Sequence, residues 1–188
     1  MQATPELQIL LPVHNEAESI AATIGEIYEE LSPIVQVEFL LCEDGSKDNT
    51  KQVLRKVAQA VPAKLLLSDE RKGYSRAVRD GMMETEAPFL LCLDSDGQCD
   101  PKDFRTFWEN RGQADVLIRM ARAPGGYRTA KNDVSGILCN MEKIVSGTHS
   151  RSELPLYSGA PGSDSQYFQK NGRDARRLLV GIFSSRQP

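Results

Sequence analysis

Two patterns of apolar residues alternate along the first half of the chain. Short, mainly apolar runs, Leu7–Val13, Val35–Cys42, Lys64–Leu67 and Pro88–Asp94, predict buried strands. Between them, apolar residues recur at helical spacing. Ile20, Ile24, Ile27 and Leu31 predict a helix over Glu16–Leu31, which Pro33 stops. Val53, Leu54, Val57 and Val61 mark a second helix, which Asp48-Asn49-Thr50 can cap. Ala77, Val78 and Met82 mark a third over Tyr74–Met83.

Continuous apolar strands separated by amphipathic helices predict an α/β fold, with a mainly parallel sheet flanked by helices. Beyond Asp115 the pattern weakens. Asp115–Met120 suits one more strand, Val134–Val145 a helix, and Arg173–Phe183 a short terminal helix. Ser146–Gly172 is rich in Ser, Gly and Pro and reads as loop.

The length of 188 residues suits a single domain with a short appendage. The boundary is set at residues 1–147 for the domain and 148–188 for an irregular extension. A formal net charge of −3 argues against nucleic acid as a partner. The four cysteines form no CxxC pair or zinc spacing, which suits a reducing, cytoplasmic setting. No signal-peptide pattern precedes Leu7, and no apolar run approaches the ~20 residues of a membrane helix. The expectation is a cytoplasmic protein, or one peripheral at the cytoplasmic face of a membrane.

Ligands of such sheets bind beyond the carboxyl ends of the strands. The suggestive polar residues fall there: His14, Asn15 and Glu16 after the first strand, Glu43 and Asp44 after the second, and Asp94, Asp96 and Gln98 after the fourth. Asp94, Asp96 and Gln98 occupy alternate positions, so an extended backbone turns them to one face. Two carboxylates and an amide oxygen are hard ligands that suit Mg²⁺ or Mn²⁺. An EF-hand is excluded, because its twelfth position is Arg105 rather than Glu. The bland alternative, a polar turn before a helix, describes Asp100-Pro101 better than it describes Asp94 and Asp96.

Four segments together resemble a family: Leu11-Pro12-Val13-His14-Asn15-Glu16, Cys42 to Thr50 (CEDGSKDNT), Gly73-Tyr74-Ser75-Arg76-Ala77 with Gly81, and Asp94-Ser95-Asp96-Gly97-Gln98. In order and spacing they resemble family-2 glycosyltransferases over about residues 7–147. Within that family the chain most resembles the dolichyl- or polyprenyl-phosphate hexose synthases. The resemblance implies a GT-A, Rossmann-type fold, a nucleotide-diphosphate sugar donor, a divalent metal and inversion at the sugar. It also implies roles. Pro12, His14 and Glu16 line the nucleoside pocket, and Asp44 hydrogen-bonds the base or ribose. Gly73 and Ser95 join the nucleotide-sugar site, and Asp94, Asp96 and Gln98 hold the metal against the diphosphate. Glu43 departs from the family, which usually has Asp there.

A hydroxyl acceptor requires a general base. Asp115, Asp133 and Asp164 are present, but none has a diagnostic neighbour. A phosphate acceptor is already anionic and requires cations instead. The resemblance assigns Arg119, Arg128 and Ser135 to that acceptor phosphate, with Asp96, Arg119 and Arg128 as the catalytic set. The expected acceptor is a polyprenyl or dolichyl phosphate, with peripheral membrane contact. Two other readings stay open: transfer to a saccharide hydroxyl, and a nucleotide-sugar-binding domain without full transferase activity. The loop-rich stretch after Ser146 motivates the last.

Overall fold

A computed structural model of the chain describes residues 4–95, 104–112, 116–120, 134–140 and 167–170. In chain order the elements are β1 (Leu7–Val13), α1 (Ile20–Leu31), β2 (Val37–Glu43), α2 (Thr50–Ala60), β3 (Ala63–Leu67) and α3 (Tyr74–Met83). Then follow β4 (Phe89–Leu93), α4 (Phe104–Asn110), β5 (Val116–Met120), β6 (Val134–Asn140) and β7 (Tyr167–Lys170).

The strands form one sheet in the order β3-β2-β1-β4-β6-β5-β7. β1 to β4 pair in parallel, which requires crossover connections of the kind α1, α2 and α3 supply. β1 lies between β2 and β4, and all seven of its residues are buried. That central position explains why its sequence is apolar at every position but Gln8 rather than alternating.

The period of two sorts the two faces. Leu7, Ile9, Leu11 and Val13 of β1 join Phe39 and Leu41 of β2 and Leu91 and Leu93 of β4 in one core. Ile20, Ile24, Ile27 and Leu31 of α1, Leu54 of α2, and Phe104 and Trp108 of α4 complete that core. The opposite face carries Leu10 and Cys42, against which α3 packs through Gly81. A Cβ at Gly81 would lie 2.4 Å from Cys42 Sγ and 2.6 Å from Leu10 Cδ1, so the helix sits as close as a glycine allows. Burial there pushes the Cys42 thiol up to about 12, leaving it an inert packing group.

Two expectations are corrected. Val134–Val145 was expected to be helical, but Val134–Asn140 is strand β6, antiparallel to both β4 and β5. Gly136 at its middle disfavours a helix, and two neighbouring strands satisfy its backbone. The stretch expected to be loop contains β7, whose Tyr-Phe pair suits a strand and which closes the sheet against β5. The remainder of residues 148–188, including the helix expected at Arg173–Phe183, lies outside the described residues.

α1 also begins later than expected, at Ile20. The segment before it is spent on tethers. Asn15 N donates to Ser46 Oγ, Glu16 N to Thr50 Oγ1, and Ala17 N to Asp48 Oδ2. These are N–H donors of the kind that the first turn of a helix leaves without an intrahelical partner, and here they hold the first loop against the loop after β2.

Candidate active site

The parallel strands β1, β2 and β4 end side by side, at Val13, Glu43 and Leu93. The loops that follow meet in a cleft of about 380 Å³. Pro12, His14, Glu16, Asp44, Asp94 and Ser95 line it. The structure therefore gathers six of the residues singled out from sequence at one sheet edge. Gly73 lies just behind, where it starts α3 at φ 93°, a conformation that only glycine adopts readily. Asp96, Gln98 and Arg128 lie outside the described residues.

The first loop turns sharply at Asn15, which takes a left-handed φ of 56°. Asparagine tolerates this because its side chain can bond locally. Here Asn15 Oδ1 accepts from Lys47 N at 2.9 Å. His14 contacts the Asp44 carbonyl through Nδ1 at 2.8 Å and Asn15 Nδ2 through Nε2 at 3.2 Å. This pair of contacts fits the Nδ1–H tautomer, donating to the carbonyl and accepting from the amide. Glu16 Oε2 accepts from Ser19 Oγ at 2.6 Å, so this acid also braces the entry to α1.

Asp48 ties the same loop to α2. Its carboxyl is held below its ordinary value, first by the Thr50 hydroxyl and then by backbone donors. A depressed carboxyl contributes stability above its ordinary pKa and loses it as pH falls through the depressed value, so this tether is intact at neutral pH.

Asp44 is buried, at 4% exposure. Its carboxylate accepts from Lys72 N at 2.6 Å and from Gly73 N at 2.9 Å. It thereby fixes the loop before α3, as well as facing the cleft. Glu43 is buried too, and its carboxylate accepts from Ser46 N and from Ser68 N, with the Lys51 ammonium 3.7 Å away. Glu43 does not line the cleft. Its departure from Asp acts on how the β2 and β3 loops are held together.

Sequence reasoning missed two lining residues, Arg71 and Tyr74. The Tyr74 hydroxyl donates to Asp94 Oδ1 at 2.8 Å. Arg71 gave no signal beyond lying two residues before Gly73, and Tyr74 stood within the Gly73–Ala77 segment of the resemblance without a role of its own.

A larger cavity of about 800 Å³ runs between α3 and β3 and shares Asp44 with the cleft. Leu65–Leu67 and Met83 make up a third of its lining and half is charged, with Asp80 already paired to Lys72 and Arg79, and Glu84 to Lys64 outside it. Size does not locate chemistry here. Converging strand-end polar groups do, and those belong to the smaller cleft.

Further along the edge, register locates two of the remaining candidates. Gly136 of β6 pairs with Leu93 on one side and with Arg119 on the other. Arg119 on β5 is therefore level with the end of β4. Between Arg119 and Met120 the ladder shifts register, so Ser135 is skipped in the pairing. A skipped residue of this kind re-aims the local chain and is frequent beside active sites. Among the described residues no three His, Cys, Asp or Glu side chains cluster as a metal site; of the expected ligands only Asp94 is described.

Comparison with known proteins fits this geometry. The family model described as "Glycosyl transferase family 2" matches residues 8–146. The glycosyltransferase AglE of Haloferax volcanii is 29% identical over 113 residues, covering 60% of this chain and 36% of that protein. The dolichyl-phosphate beta-glucosyltransferase ALG5A of Trichomonas vaginalis is 26% identical over 161 residues, covering 78% and 50%. The chain thus spans half or less of the length of these relatives. A solved mannosyltransferase of Pyrobaculum calidifontis, in complex with GDP-Man and Mn²⁺, superposes with a TM-score of 0.62 at 19% identity. That match covers 77% of this chain and 47% of the other, and it establishes a shared fold of the GT-A type.

Proposed function

This chain belongs to glycosyl transferase family 2, and from that premise we propose that it moves a hexose, with inversion, from a nucleotide-diphosphate sugar to a polyprenyl or dolichyl phosphate. The observation that carries the reading is the convergence of three strand-end loops on one cleft, with Pro12, His14, Glu16, Asp44, Asp94 and Ser95 on its walls. On this reading the first 147 residues are the donor-binding unit, and residues 148–188 are an extension that adds β7 to its sheet.

Asp94, Asp96 and Gln98 would hold Mg²⁺ or Mn²⁺. The fit rests on donor chemistry: hard oxygen ligands, of which the Asp94 carboxylate lines the cleft. When bound, the ion supplies Lewis-acid stabilisation to the diphosphate leaving group. His14, Glu16 and Asp44 form the nucleoside side of the pocket, with Gly73 behind it and Ser95 beside the metal ligands. Arg119, Arg128 and Ser135 hold the acceptor phosphate, which attacks without a general base because it is already anionic. The register at Arg119 and Ser135, level with the end of β4, supports this acceptor side. A phosphate on a lipid brings the protein to a membrane surface. Among the described residues no helix is long and apolar enough to cross one.

The test is transfer. The purified chain is mixed with GDP-mannose or UDP-glucose, Mn²⁺ and a short polyprenyl phosphate, and the glycosylated lipid is measured. Product formation that Asp96→Ala lowers at least ~100-fold, the scale of losing a key electrostatic group, is the expected result. Transfer only to a saccharide hydroxyl overturns the acceptor assignment. Metal-dependent nucleotide binding without transfer to any acceptor overturns the enzymatic reading.

A further inference from the structure

We propose that Tyr74 is a positioning residue for the metal: its hydroxyl fixes the orientation of the Asp94 carboxylate in which that group meets Mg²⁺ or Mn²⁺. The inference rests on the metal site proposed above and adds to it a residue from a different element.

Three observations carry it. Tyr74 Oη donates to Asp94 Oδ1 at 2.8 Å, bridging the start of α3 and the end of β4 across 20 residues of sequence. Both partners line the same cleft. The arm is also held rigidly at its base. Gly73, the residue before Tyr74, is bonded through its N–H to the buried Asp44 carboxylate, and α3 is pressed onto β1 and β2 at Gly81.

A carboxylate at the end of a strand can rotate about its side-chain bonds. One oxygen held by a phenol donor from a fixed helix removes much of that freedom before any ligand arrives. It also favours coordination through one oxygen over two, which suits a small octahedral ion. Outer-shell hydrogen bonds of this sort are worth ~10–100-fold in metal affinity.

The test is titration of Mn²⁺ alone into the full chain, with the unbound ion read from its EPR signal. Wild type, Tyr74→Phe and Asp94→Asn are compared, and melting temperatures are taken in EDTA. Tyr74→Phe keeps the ring and removes only the donor. The expected result is an Mn²⁺ Kd raised about tenfold in Tyr74→Phe and binding lost in Asp94→Asn. The Kd decides, whatever the melting temperature does. An unchanged Kd in Tyr74→Phe, with binding lost in Asp94→Asn, overturns the role of Tyr74 and leaves the metal site standing. Unchanged Mn²⁺ binding in Asp94→Asn overturns the metal site itself, and the role of Tyr74 with it.

Discussion

Gly45→Ala is expected to destabilise the protein by about 2–5 kcal/mol and to disable the cleft as well. Gly45 sits just after β2 at φ +65°, where an L-residue costs roughly 1–2 kcal/mol. Its missing side chain is also what lets two loops touch. A Cβ there would lie 2.3 Å from Arg71 N and 2.4 Å from Glu70 C. These are backbone atoms, which cannot swing aside like the end of a side chain, so overpacking adds about 1–3 kcal/mol. The segment pushed away carries Arg71 into the cleft and leads into Gly73 and Tyr74. Urea unfolding should show a lowered midpoint with an unchanged slope. Nucleotide affinity, measured well below that midpoint, should fall with it. A midpoint equal to that of wild type would mean that the two loops are not locked together.

Asp44→Asn separates two roles that one residue combines. The family resemblance gives Asp44 to the nucleotide, whereas the geometry also gives it the backbone N–H groups of Lys72 and Gly73. Asparagine keeps the size but loses the charge, and one of its two oxygens becomes a donor facing donors. Losing charge-assisted bonds at a buried site costs about 2–3 kcal/mol. The unfolding midpoint of nucleotide-free protein should therefore drop. If Asp44 serves the nucleotide alone, the midpoint stays where it was and only the nucleotide Kd rises.

The parallel half of the sheet was readable because its residues report on burial directly. Leu7–Val13 is apolar at every position but Gln8 because both faces of β1 are covered, and Ile20, Ile24, Ile27 and Leu31 mark the stripe by which α1 meets it. The antiparallel strands were not readable in this way. Val134–Asn140 is too short and mixed to reveal its period, and its strand state depends on β4 and β5, which are distant in sequence. The cleft was legible to the extent that its residues follow strand ends, which locates Glu16, Asp44 and Asp94. Hydrogen-bond partners were not legible. Nothing in the sequence joins Tyr74 to Asp94, or Asp44 to the N–H of Gly73, because these pairs exist only once α3 has packed on the sheet. Likewise Glu43 looked like a variant site residue until its burial and its bonds to Ser46 and Ser68 made it a brace.

On the proposed function, the cleft at the ends of β1, β2 and β4 takes a nucleoside diphosphate through a divalent ion. Calorimetric titration of the full chain with GDP and with UDP, in Mn²⁺ and then in EDTA, tests it most directly when repeated with Asp94→Ala. At least one of the two nucleotides is expected to bind in Mn²⁺, with an affinity loss of ~10-fold or more both in EDTA and in the variant. Binding of neither nucleotide, or binding indifferent to both EDTA and Asp94→Ala, would contradict it.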